Sequence, residues 1–276
     1  MSAVNIICQP RHGCLHIVTD SASYVDGIVD GLGRPKVLTV PAWPGAITGR
    51  GPALAGAIVG ETLSCKFPTF DEAVAGAEEV LPGILERFSD IFSTPYPDRL
   101  QVVIAGWSSE RRQPESYVFN ASEAAAPGAT QEEIEANAHY LVGSKLVRLS
   151  NAISAPVLSE KITKESGFAG FDVDASPEEV IKALRITIEA QRHDEHPGLD
   201  RHYIGGSAQL TTITPAGVQQ RILTRWKEDK IGELIRPRPI DWAKWRAELE
   251  GPPAGLSRLK RQMMEKKLAK GKLRAA

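Results

Sequence analysis

Apolar residues fall in short β-branched runs through the first fifty positions and in helix-spaced stripes further on. Val4-Asn5-Ile6-Ile7-Cys8 and Leu15-His16-Ile17-Val18-Thr19 flank the polar triplet Arg11-His12-Gly13. This pattern predicts strands over 4–9 and 14–20, joined as a hairpin. Residues 21–33 are rich in Gly and Asp and read as a loop or a short irregular strand. Residues 36–41 and 45–49 predict two further strands, closed by the turn Gly49-Arg50-Gly51-Pro52. Pro52 falls near the first position of a helix of small residues over 53–60.

Thr69-Phe70-Asp71-Glu72 has the form of a capping box. The apolar series Val74, Ala77, Val80, Leu81, Ile84, Leu85, Phe88 and Ile91 gives the helix it opens one apolar face. Pro82 is expected to bend that helix or split it. Residues 100–106 predict a strand, and residues 115–120 its hairpin partner. Residues 124–128 read as a loop and 131–138 as a short helix. The rest of 121–175 shows no clear period. Ser176-Pro177-Glu178-Glu179 combines an N-cap, Pro at N1 and Glu at N3. It opens a helix to about Arg192. Residues 203–214 and 217–226 predict a second hairpin turning at Pro215-Ala216. Arg236-Pro237-Arg238-Pro239 is an extended linker, followed by a helix over 241–250 that ends at Gly251-Pro252-Pro253.

The order hairpin, helix, hairpin, helix, hairpin predicts an α+β fold of two antiparallel sheets with helices outside them. Residues 1–235 form the main domain. Residues 236–276 form a Pro-linked C-terminal extension with a basic helical tail.

Charge separates these two parts. Residues 257–276 carry eight cations against Glu265, a net +7, while the whole chain carries −1. Residues 1–256 therefore hold −8. Leu256, Leu259 and Met263 give the tail a short apolar stripe, which favours docking on a protein partner. Trp242 and Trp245, with Arg258, Lys260, Arg261, Lys266 and Lys267, are the candidate partner-binding residues. No aromatic residue interleaves with these charges, so stacking on single-stranded nucleic acid is unsupported. A nucleic-acid contact through the tail alone is the weaker alternative.

No run approaches the length of a membrane span, and no secretory signal is visible. Cys8, Cys14 and Cys65 have no metal-ligand spacing. A reducing, cytoplasmic setting is the simplest expectation, with no cofactor. His193, Asp194, Glu195 and His196 read as a solvated polar cluster at a helix end rather than a metal site. His12 and His16 read as turn and strand residues.

The first fifty residues carry a further pattern. An aspartate, Asp20, ends the second strand, and a lysine, Lys36, opens the third sixteen residues later. A fourth strand breaks on Thr48-Gly49-Arg50-Gly51. This layout resembles proteasome β-type subunits and their bacterial HslV-type relatives, which are N-terminal-nucleophile (Ntn) hydrolases. The resemblance covers roughly residues 4–120 and 176–226, with 121–175 as an insertion. It implies a four-layer αββα sandwich that self-associates. It also implies that Asp20 and Lys36 serve a nucleophile at the chain start, with Gly49 as oxyanion donor.

The family's threonine is missing, because its place falls at or near Val4. Ser2 is a chemically plausible nucleophile, but it lies two residues early, up to about 7 Å along an extended strand. The family's Asp-x-x-Ser-Gly-Gly is also altered. Asp200 is followed by Arg201-His202-Tyr203-Ile204-Gly205-Gly206, with Ile204 in the serine's place. The leading expectation is a non-catalytic, self-assembling structural or interaction subunit, for which a phage- or prophage-type particle is one setting. In that case Asp20 and Lys36 are a structural ion pair. The alternative is a threonine- or serine-type peptidase or amidohydrolase with an unusual N-terminus.

Overall fold

The computed structural model describes residues 3–25, 27–50, 55–87, 101–120, 146–195 and 201–250. It is a mixed α+β structure built on antiparallel sheets. The first hairpin pairs β1 (Val4–Gln9) with β2 (Cys14–Thr19) through a 3-10 turn at Pro10–His12. Gly13 closes that turn in the left-handed region at φ 62°. The stretch expected to be irregular forms its own small hairpin, β3 (Ser23–Val25) with β4 (Ile28–Gly31). Next come β5 (Val37–Val40), β6 (Gly45–Arg50), α1 (Ala55–Lys66) and α2 (Phe70–Arg87). A meander of β7 (Gln101–Ser108) and β8 (Gln113–Asn120) follows.

Residues 146–155 are short edge strands. β9 (Leu146–Arg148) pairs with β8, and β10 (Ala152–Ala155) pairs with β1. Part of the stretch that lacked a sequence period thus supplies an edge to each large sheet. Helix α3 (Glu160–Ser166) and helix α4 (Pro177–His193) precede the last hairpin, β11 (Ser207–Thr214) and β12 (Gly217–Arg225). Helix α5 (Trp242–Glu250) ends the described chain. The candidate helix at 131–138 and the basic tail, with Arg258, Lys260, Arg261, Lys266 and Lys267, lie outside the described residues.

One large sheet runs β10-β1-β2-β11-β12 and the other β5-β6-β7-β8-β9. Strand alternation assigns the side chains to layers. Val4, Ile6, Cys8, Leu15 and Ile17 meet Val37, Ala46, Val103, Ala105 and Val118 between the sheets. Ile7, Val18, Ala208 and Leu210 face the other way, onto Val180, Leu184 and Ile188 of α4. Val59 and Leu63 of α1, with Phe70, Ala77 and Leu81 of α2, cover Ile47, Val102 and Ile104 of the second sheet. Both faces of β1 are covered, which explains why all six of its residues are buried.

One local expectation narrows and another changes. Helix α2 is not split at Pro82. Ala77, Leu81 and Ile84 pack into the core on both sides of the proline, which is itself exposed. Their burial offsets the lost backbone hydrogen bond. Strand β11 begins at Ser207 rather than Tyr203. Gly206 sits in the left-handed region at φ 77° and gives its N–H to Asp229 Oδ2 at 2.7 Å, so the ladder cannot extend through it. The capping box at Ser176 and Glu179 forms as its spacing predicts. Among the described residues no helix is long and apolar enough to cross a membrane.

Candidate functional site at the Asp20–Lys36 pair

Asp20 follows directly on β2, and Lys36 lies just before β5. Packing one sheet on the other closes the sixteen-residue gap between them. Lys36 Nζ donates to Asp20 Oδ1 at 2.8 Å. The Asp20 side chain is fully buried, and that of Lys36 is 16% exposed. Thr48 on β6 fixes the lysine from behind, its hydroxyl donating to the Lys36 carbonyl at 2.8 Å.

Three main-chain amides also converge on Asp20. Ala3 N–H donates to Oδ1 at 3.0 Å. Ala22 N–H and Gly205 N–H reach Oδ2 at 3.3 and 3.4 Å. Both carboxylate oxygens therefore face donors only. The group joins the start of β1, the end of β2, the approach to β5 and the glycines before β11. A buried carboxylate supplied in this way avoids the cost of an unpaired charge.

Val4 is 4% exposed and pairs with Thr19 and with Ala155. Its side chain lies in the apolar layer between the sheets. Gly49, the candidate oxyanion donor, is a ladder residue of β6 opposite Val102. A methyl group there would meet Gln101 O at 2.3 Å, so the two strands need its bare backbone. Val4, Gly49, Arg50, Gln101 and Ala155 border a cavity of about 20 Å³, room for about one water. Ser2 lies outside the described residues.

Ile204 is buried in the apolar layer beside α4. Ser21 Oγ and Ser207 Oγ share a 2.8 Å hydrogen bond, whereas Thr19 Oγ1, opposite Val4, is buried with no hydrogen-bond partner among the described residues. Sequence reasoning missed a second buried ion pair behind Gly205-Gly206. Arg192 on α4 grips Asp229 with two hydrogen bonds of 2.7 and 3.0 Å. Both side chains are fully buried. Arg192 also donates to Ile204 O at 2.7 Å and lies 4.6 Å from the Trp226 ring centroid. Only the close glycine pair in the sequence hinted at this crossing.

The other candidates are distant in role. His16 is buried, with Nδ1 3.0 Å from Thr212 Oγ1 and Nε2 3.5 Å from Cys14 Sγ. Burial, helped by Arg221, lowers its pKa to about 4, so the ring is neutral. Burial raises the Cys8 thiol to about 11 and also raises Cys14, which leaves both as weak nucleophiles. Among the described residues no group of three or more His, Cys, Asp or Glu side chains could hold a metal ion; His196 lies outside them. Trp242 packs edge-on against His193 at 5.4 Å and against Trp245 at 5.8 Å. No protein-family model matches the chain, and no curated protein matches it.

Proposed function

We propose that this chain is a non-catalytic subunit on an Ntn-hydrolase scaffold of the proteasome type, acting through self-assembly or a partner. The observation that carries this reading is the occupancy of Asp20. Its four acceptor positions go to Lys36 and three main-chain amides, and the residue in the nucleophile's place is the apolar Val4. The succession of helix pair, sheet, sheet and helix supports the four-layer αββα reading. The cavity beside Val4, about 20 Å³, has room for about one water. Structural and particle-associated roles, including a phage- or prophage-type particle, fit a scaffold that keeps the charge pair and lacks a nucleophile.

One observation favours the enzyme alternative. The nitrogen of Ala3 and Nζ of Lys36 meet on a single carboxylate oxygen. An N-terminal nucleophile needs its main-chain nitrogen and a lysine brought together in this way. Two measurements separate the readings. Light scattering on the full chain is expected to give a mass above one subunit. Peptide hydrolysis by wild type and by Lys36→Ala is expected to be equally absent. A monomer with lysine-dependent hydrolysis overturns the proposal.

A further inference from the structure

His193 is the last residue of α4, and each of its ring nitrogens faces a main-chain carbonyl. Nδ1 lies 2.9 Å from Glu189 O, and Nε2 lies 3.0 Å from Arg238 O. A carbonyl oxygen only accepts. A neutral imidazole has a single N–H, and only the imidazolium has two. Both contacts are hydrogen bonds only when the ring is protonated. The Glu189 carboxylate adds a favourable charge, with Oε1 3.8 Å from Nδ1.

The second carbonyl belongs to the segment after the last hairpin. Helix α5 has no fully buried residue. Arg246 Nη1 on this helix donates a 3.4 Å hydrogen bond to Gly167 O. Trp242 on this helix packs edge-on against His193 itself. We propose that residues 236–250 form a strap latched by protonated His193, tightening as pH falls and loosening as it rises.

The groups around the ring agree with this direction. Glu189 on α4 supports the cation when ionised, while burial raises its own pKa. Glu195 lies 3.9 Å from His202 Nε2 and opposes, without overcoming, the effect of burial on that ring. Burial lowers the His202 pKa, which favours its neutral form. The Arg192 guanidinium is held by Asp229 and Glu228. Arg238 presents its carbonyl, and Trp242 presents its ring. A closing step that takes up one proton shifts by up to about tenfold per pH unit across the titration.

The test is amide hydrogen exchange of α5 in the full chain at about pH 5.5 and about pH 8.5, corrected for intrinsic rates. Protection is expected to fall about tenfold or more at the higher pH. His193→Gln is expected to remove the pH dependence, and His202→Gln to keep it. Equal protection at both pH values overturns the latch. A slope that survives in His193→Gln or vanishes in His202→Gln does the same. If His193→Gln fails to fold, nitrogen NMR of the wild-type imidazole decides. Two protonated nitrogens while α5 is protected support the latch, and one protonated nitrogen with α5 still protected contradicts it.

Discussion

Replacing Asp20 by Asn keeps the shape of the side chain and removes only its charge and one acceptor. Both carboxylate oxygens face donors: Lys36 and Ala3 on Oδ1, Ala22 and Gly205 on Oδ2. Whichever way the amide turns, its NH₂ meets two donors. Lys36→Met is milder, because the three main-chain amides still serve the buried carboxylate. Removing one partner from a buried pair costs about 3–5 kcal/mol, and Asp20→Asn belongs at the upper end of that range. For a chain of this size the loss lowers Tm by about 6–20 °C. Calorimetry or urea unfolding of both variants measures it. The reasoning is refuted if Asp20→Asn stays within about 2 °C of wild type, or if Lys36→Met proves the more damaging.

His16 predicts an acid-side loss of stability. Its folded pKa of about 4 lies below the ordinary imidazole value, so the unfolded chain binds the proton more readily. The contribution is fully present above about pH 6.5 and is lost as pH falls toward 4, about 3 kcal/mol in all. Urea midpoints against pH, with His16→Asn as the flattened control, check it. At neutral pH a thiol reagent is expected to label exposed Cys65 first and to spare buried Cys8 and Cys14 until unfolding, as read by mass spectrometry. Gly106→Ala would put a methyl 2.3 Å from Phe70 Cδ2, overpacking the contact between α2 and β7, and is expected to cost about 1–3 kcal/mol by chemical denaturation.

The legible parts of this chain were those where a local rule had a single outcome. The first hairpin followed from two β-branched runs around Gly13, and α4 followed from Ser176, Pro177 and Glu179 at its start. Asp20 and Lys36 were singled out by their resemblance to the proteasome-type pattern, and the fold brings them to 2.8 Å. What stayed hidden depends on distant partners. Strands β9 and β10 have three and four residues, too few to show a period, and exist through pairing with β8 and β1. Arg192 only marked the end of a helix in the sequence, because Asp229, its buried partner, lies thirty-seven residues away. The Ala3 amide on Asp20 has no side-chain signature at all.

The central claim is that the pair at Asp20 and Lys36 serves structure rather than a nucleophile. Intact mass of the purified chain, before and after an electrophilic epoxyketone that traps N-terminal nucleophiles, tests it most directly. The account predicts a chain beginning at Met1 or Ser2 with no adduct. A shortened chain, or an adduct mapped to the first residue, would contradict it.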